Sequence, residues 1–307
     1  MTVTYISKMN HILIVGTGAL ATLFAARLAQ AGTPITMLGT WKAGLHSLRQ
    51  EGARRVDAQG IEHQFKVQAT DDPRECSDIE HALVLVKAWQ TEYVAGQLKE
   101  CLADSGLAVT LQNGLGNRET LAQSLGLGRV ALGTTTTGAT LLGPGLVRDG
   151  GEGMISIERH PALGPVEEAL KSAKFNLHIV DDAQSLIWGK LVINAAINPL
   201  TALLRVPNGE LLEKPAAREM MRTLAIEVAR VAAAEKIHLP FSDPIAAAEE
   251  VALKTAANHS SMLQDVLRGA PTEIDAICGA VVKVAQKLTI DTPANWACWK
   301  LVKALIE

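Results

Sequence analysis

The 307-residue chain carries 29 Lys and Arg against 32 Asp and Glu, a formal charge of −3, and 48% of its residues are apolar. That length favours two domains with a core in each, and the charge provides no pull toward nucleic acid or an anionic membrane. With 4% aromatic residues, a base-stacking surface is also excluded. Cys76, Cys101, Cys278 and Cys298 stand far apart with no CxxC pair. This argues against a structural zinc site or a disulfide framework and fits reduced cytoplasmic thiols. The opening MTVTYISKMN lacks the cationic stretch and apolar run of a secretory signal, and Met9 is an alternative start. No uninterrupted apolar stretch reaches the ~18 residues of a membrane span. A cytoplasmic protein without nucleic-acid or membrane partners is the expectation.

The first half alternates short β-rich runs with helical patterns, which predicts a mostly parallel sheet covered by helices. Residues 11–15 form an apolar strand that ends in a glycine loop, 19–31 form a helix stopped by Gly32, and 35–38 form the next strand. Further buried strands are expected at 82–86, 107–111 and 130–135. The glycines and Pro144 between 141 and 157 predict turns joining antiparallel strands. A helix at 165–172 and a strand at 177–180 complete this half. From Ala183 onward Ala/Leu/Val runs at helical spacing take over, at 218–234, 244–257 and 273–287. The expected architecture is α/β, with residues 1–182 as a sheet domain and 183–307 as an all-helical one.

The first functional signal is Val15-Gly16-Thr17-Gly18-Ala19-Leu20-Ala21, placed between strand and helix. Gly16 permits a tight turn, Gly18 admits a pyrophosphate to the helix N-terminus, and Ala21 stands where a third glycine often allows close packing. An ordinary glycine-containing turn is the competing reading. An NAD site usually has a carboxylate after the second strand, to bind the ribose 2′-hydroxyl. Here the chain reads Gly39-Thr40-Trp41-Lys42. Thr40 and Lys42 would accept a 2′-phosphate, so NADPH is favoured, although Lys42 could equally be a solvated surface residue. Lys87 and Asn113 fall at expected strand ends, where ligands bind in open α/β sheets.

In the helical half, Lys190, Asn194 and Asn198 recur four residues apart within an apolar stretch. They share one helix face, and a polar stripe in such a helix implies either exposure or a wet internal cleft. Asn208 lies in a turn before the next helix, and Ser261 and Asp265 share a helical face. Thr272 reads as the N-cap of a further helix, with Glu273 in its first turn. His259 has no evident orienting partner.

Lys87-Ala88-Trp89-Gln90, Asn113-Gly114, 188–201, Pro207-Asn208-Gly209-Glu210-Leu211, 260–265 and 272–275 resemble, in order, the motifs of ketopantoate reductases. The resemblance spans about residues 11–290. It implies a Rossmann-type domain and a helical domain, with NADPH-dependent reduction of ketopantoate in the cleft between them, a step toward pantothenate. It makes Lys190 the catalytic proton donor and places Asn113, Asn194, Asn198, Asn208 and Ser261 on the substrate. Gly16, Thr17, Gly18, Ala19, Leu20, Ala21, Thr40, Lys42, Lys87, Asn113, Ala139 and Glu273 fall on the cofactor. No metal is expected, and a homodimer through the helical half is compatible with the pattern. Ala21, and Thr40-Trp41-Lys42 where an arginine often stands, depart from the family pattern. A reductase of another 2-oxo or imino acid and a non-catalytic NADPH sensor are the alternatives.

Overall fold

The computed structural model describes residues 11–76 and 79–307. The expectations for the first ten residues, including a start at Met9, lie outside this range. The chain forms two compact units. Of the described residues, the first comprises those up to Val86, Gln90–Gln112 and Asn117–Ala183; the second comprises Lys87–Trp89, Asn113–Gly116 and Gln184–Glu307. Two short segments from the first half of the chain thus cluster with the helices.

In the first unit the elements run β1 (Ile12–Val15), α1 (Ala19–Gln30), β2 (Ile35–Leu38), α2 (Lys42–Glu51), β3 (Ala53–Val56), β4 (Glu62–Phe65), β5 (Gln68–Thr70) and β6 (Ile79–Val84). There follow α3 (Thr91–Cys101), β7 (Leu102–Thr110), α4 (Asn117–Leu125), β8 (Val130–Thr135), β9 (Ala139–Gly143), β10 (Leu146–Asp149), β11 (Met154–Glu158), α5 (Gly164–Ser172) and β12 (Asn176–Val180). Among the described residues the main sheet runs β12-β11-β8-β7-β6-β1-β2-β5. It is parallel from β5 through β8, and β11 lies antiparallel to β8. The parallel part is the doubly wound order, with the topological switch between β1 and β6.

All four residues of β1 are buried, as a central parallel strand requires. Alternation sends Ile12 and Ile14 to one face, with Phe24 and Phe175, and Leu13 and Val15 to the other, with Leu98 and Leu121. A second sheet, β4-β3-β10-β9, lies outside the pattern read from sequence, as does α2. Its β9/β10 pair is antiparallel, as the turn residues predict.

The second unit contains α6 (Gln184–Leu204), α7 (Glu210–Glu213), α8 (Pro215–Ala234), α9 (Pro244–Lys254), α10 (Ser261–Leu267), α11 (Cys278–Lys287) and α12 (Pro293–Ala304). The 21-residue α6 packs against α8, α9, α10 and α12, and Trp188, Leu191, Val192 and Ala195 join its core. By length and composition α6 could cross a membrane, but most of it is buried inside the unit. A Cβ at Gly189 would approach Pro240 Cδ to 2.7 Å, so glycine lets Pro240 pack closely against α6, next to Lys190 in the chain. The buried Glu227 of α8 accepts the Ala294 and Asn295 amides at 2.9 Å and thereby caps α12. Ser260 caps α10 through the Leu263 amide, and its hydroxyl lies 2.7 Å from that of Thr201 on α6.

The helix expected from Thr272 instead begins at Cys278. Residues 273–277 form a turn in which the Glu273 carbonyl accepts the Ala276 and Ile277 amides and the Ile274 carbonyl accepts that of Gly279. The Ala276 carbonyl is taken by the Leu115 amide at 3.0 Å, which competes with regular helix bonding there. Glu273 is therefore buried in a turn rather than placed at an exposed helix start.

Candidate active site

At the switch point of the first unit, β1 runs into the glycine loop. Gly16 has φ +130°, and a Cβ there would lie 3.1 Å from the Leu85 carbonyl oxygen and 3.3 Å from the Ala21 Cβ. Gly18 is the N-cap of α1 and has open space where its Cβ would be. The first turn of α1 carries no acid, so its amides and dipole favour an anion. Thr17 is buried, and its Cγ2 would lie 2.7 Å from a Cβ on Gly39. Half-buried Ala19 and Leu20 begin α1, and buried Ala21 fills the close-packing position. These residues fit a dinucleotide pyrophosphate. Thr40 and Lys42 are exposed at the N-terminus of α2, whose first turn also carries no acid. Half-buried Ala139 starts β9.

In the second unit, α6 brings Lys190, Asn194 and Asn198 onto one face, the first two half-buried and Asn198 buried. Burial draws the Lys190 ammonium down to about 8, against the pull of Glu273, which favours the charged form. Glu273 accepts the Ala88 amide at 3.2 Å and Asn113 Nδ2 at 3.0 Å through its two oxygens. Lys87 Nζ lies 2.7 Å from Asp265 Oδ2 and 3.7 Å from Glu273 Oε2. Burial alone would lower the Lys87 pKa, but Glu273 and Asp265 outweigh it and hold the value above the usual lysine range. Gly114 has φ +80°, and a Cβ there would meet the Ala276 oxygen at 2.3 Å. This close approach seats Asn113 beside Glu273.

Asn208 is buried and donates Nδ2 to Thr255 Oγ1 at 2.8 Å, while among the described residues its Oδ1 has no donor. Ser261 is exposed at the start of α10, one turn before buried Asp265. Lys190, Glu273, Asn113 and Lys87 therefore belong to one connected electrostatic cluster. The glycine loop, Thr40, Lys42 and Ala139 belong to the first unit. All four cysteines are buried, and burial pushes each thiol up, Cys76 and Cys298 to about 11 and Cys101 to about 12. Nucleophilic thiolates are thereby disfavoured.

Sequence reasoning missed the roles of Asp265 and Arg268, which is 3.1 Å from Asp265 Oδ1. It also missed the buried relay of Gln112, whose Nε2 donates to the Val86 carbonyl at 3.1 Å and to Thr91 Oγ1 at 2.8 Å. That relay ties together the chain immediately before Lys87 and before Asn113.

A glycine loop at the switch of a doubly wound sheet, together with a half-buried lysine on one helix face with amide side chains, defines a nicotinamide-dependent oxidoreductase. The ketopantoate reductase PanE/ApbA family matches residues 12–162, and its C-terminal part matches 182–307. The chain belongs to this family. It is 36% identical over 303 residues to a 2-dehydropantoate 2-reductase of Archaeoglobus fulgidus, covering 97% of this chain and 98% of the relative. A PanE/ApbA family ketopantoate reductase from Ralstonia eutropha superposes with TM-score 0.90 at 30% identity, covering 96% and 98% of the two chains. D-mandelate dehydrogenase, solved with NADH and anilino(oxo)acetate, also reaches 0.90, at 26% identity and the same coverage.

Proposed function

We propose that the protein reduces ketopantoate (2-dehydropantoate) to pantoate with NADPH and that Lys190 donates the proton. The observation that carries this reading is Lys190 on one face with Asn194 and Asn198, in the field of Glu273. In this reading residues 1–182 form the dinucleotide-binding domain and 183–307 the substrate domain. Gly16, Thr17, Gly18, Ala19, Leu20 and Ala21 hold the pyrophosphate, and Thr40 and Lys42 the 2′-phosphate. Lys87, Asn113, Ala139 and Glu273 complete the cofactor contacts.

When bound, the reduced nicotinamide supplies the hydride that the ketone carbon takes up. Charged Lys190 hydrogen-bonds the ketone oxygen, stabilises its growing negative charge and passes it a proton, giving the 2-hydroxy acid. The lysine then regains a proton from solvent. Asn113, Asn194, Asn198, Asn208 and Ser261 hold the carboxylate and hydroxyl of the substrate without opposing charge. The Asn208 Oδ1 acceptor that lacks a donor suits a substrate hydroxyl.

The likeness to D-mandelate dehydrogenase favours a second reading, NADH-linked reduction of an aromatic 2-oxo acid. The absence of an acid in Gly39–Lys42 speaks against NADH. The test is to incubate the purified protein with ketopantoate and NADPH and to follow loss of NADPH absorbance and appearance of pantoate by mass spectrometry. Stoichiometric conversion is expected; absence of pantoate refutes the proposal.

A further inference from the structure

Glu273 is asked to serve several groups at once. Its oxygens accept the Ala88 amide and Asn113 Nδ2, its charge bears on Lys190, and Lys87 stands 3.7 Å away. Lys87 already pairs with Glu273 at that distance, but loosely, its closer carboxylate being Asp265. Asp265 intervenes: it is buried, holds Lys87 at 2.7 Å through Oδ2 and takes Arg268 at 3.1 Å through Oδ1. Its helix, α10, is in turn pinned to α6 by the Ser260–Thr201 hydroxyl contact.

We propose that Asp265 is a positioning residue: by holding Lys87 it stops that ammonium from closing on Glu273, and so leaves Glu273 to Asn113, the Ala88 amide and Lys190. Lys190 is the sole charged residue of α6. On the elements packed against α6, Glu227 is committed to the Ala294 and Asn295 amides, Glu249 to Arg218 and Arg222, and Lys303 to Asp275. Glu273 is a carboxylate whose charge bears on Lys190, and Lys87 also draws on it.

The consequence of this arrangement is a change in the titration of Lys190. In Asp265→Asn, Lys87 should relax onto Glu273, and the Lys190 midpoint should fall by roughly 0.5–1 pH unit. Asp265→Glu should restore it. In Lys87→Met the competitor is gone and the midpoint should rise, which tests the idea even if Asp265→Asn does not fold. The midpoint is read by pH-dependent acetylation of Lys190 and mass spectrometry, which requires no turnover. The proposal rests on the reading of Lys190 as proton donor only for its second readout, a matching shift in the alkaline limb of kcat/KM. A shift in acetylation without any 2-oxo acid turnover would uphold the positioning role and sink the functional reading. Added to Lys87→Met, Asp265→Asn should leave the midpoint in place. An equal shift in that background, or no shift in Asp265→Asn itself, would overturn the positioning role.

Discussion

Lys190 should be a residue that the fold would be more stable without. Burial brings its ammonium from 10.5 down to about 8 even with Glu273 nearby. A depression of that size costs the folded state about 3 kcal/mol at neutral pH. Lys190→Met keeps the length of the side chain and removes the charge. The variant should gain up to about 3 kcal/mol, less whatever is lost in contacts to the ammonium. The pH dependence has a defined sign. Below pH 8 both folded and unfolded lysine are protonated, so the full cost is present. Between about 8 and 10.5 the unfolded chain holds the proton that the folded one has lost, so the stability of the parent rises with pH. The advantage of Lys190→Met should thus be full at pH 7 and fade toward pH 10.5. Over the same substitution kcat should drop by about 10²-fold or more, because general acid catalysis and alkoxide stabilisation go together. Urea denaturation at pH 7 and pH 10, beside steady-state rates, measures both. A variant less stable than the parent at pH 7, or one keeping a kcat within about threefold of it rather than losing ~10²-fold, would refute the reasoning.

Three other outcomes are expected. Asn198→Ala and Ser261→Ala should lower kcat/KM for the 2-oxo acid by roughly 5–150-fold, the value of ~1–3 kcal/mol for a lost polar contact, while fluorescence titration finds NADPH binding nearly unchanged. Gly114→Ala forces a side chain at φ +80° against the Ala276 carbonyl. It should cost at least about 1–3 kcal/mol in thermal melts and lower kcat through displacement of Asn113. The rate of ketone reduction in the parent should decline as pH rises through about 8, as Lys190 loses its proton. A rate that climbs across that range would count against an ammonium donor.

The parts legible in the sequence are those whose signal is local. Four apolar residues followed by Gly16 and Gly18 specify β1, its turn and α1, because each strand and helix choice is made by neighbours. The stripe of Lys190, Asn194 and Asn198 is legible because helical periodicity places residues four apart on one face. The second sheet was hidden because β3 and β4 read ARRV and EHQF, polar runs whose pairing is decided by partners elsewhere. Glu273 sits in a sequence that favours a helix start, and the turn there comes with a bond from Leu115, far away in the chain. The pairing of Lys87 with Asp265 joins residues 178 apart, a distance over which no spacing rule operates.

The central claim is tested most directly by comparing kcat/KM for ketopantoate and for the 2-oxo acid of mandelate, each with NADPH and with NADH under matched conditions. Ketopantoate with NADPH should be the best of the four pairs. Higher efficiency with the aromatic acid and NADH would contradict both the substrate assignment and the reading of Thr40 and Lys42.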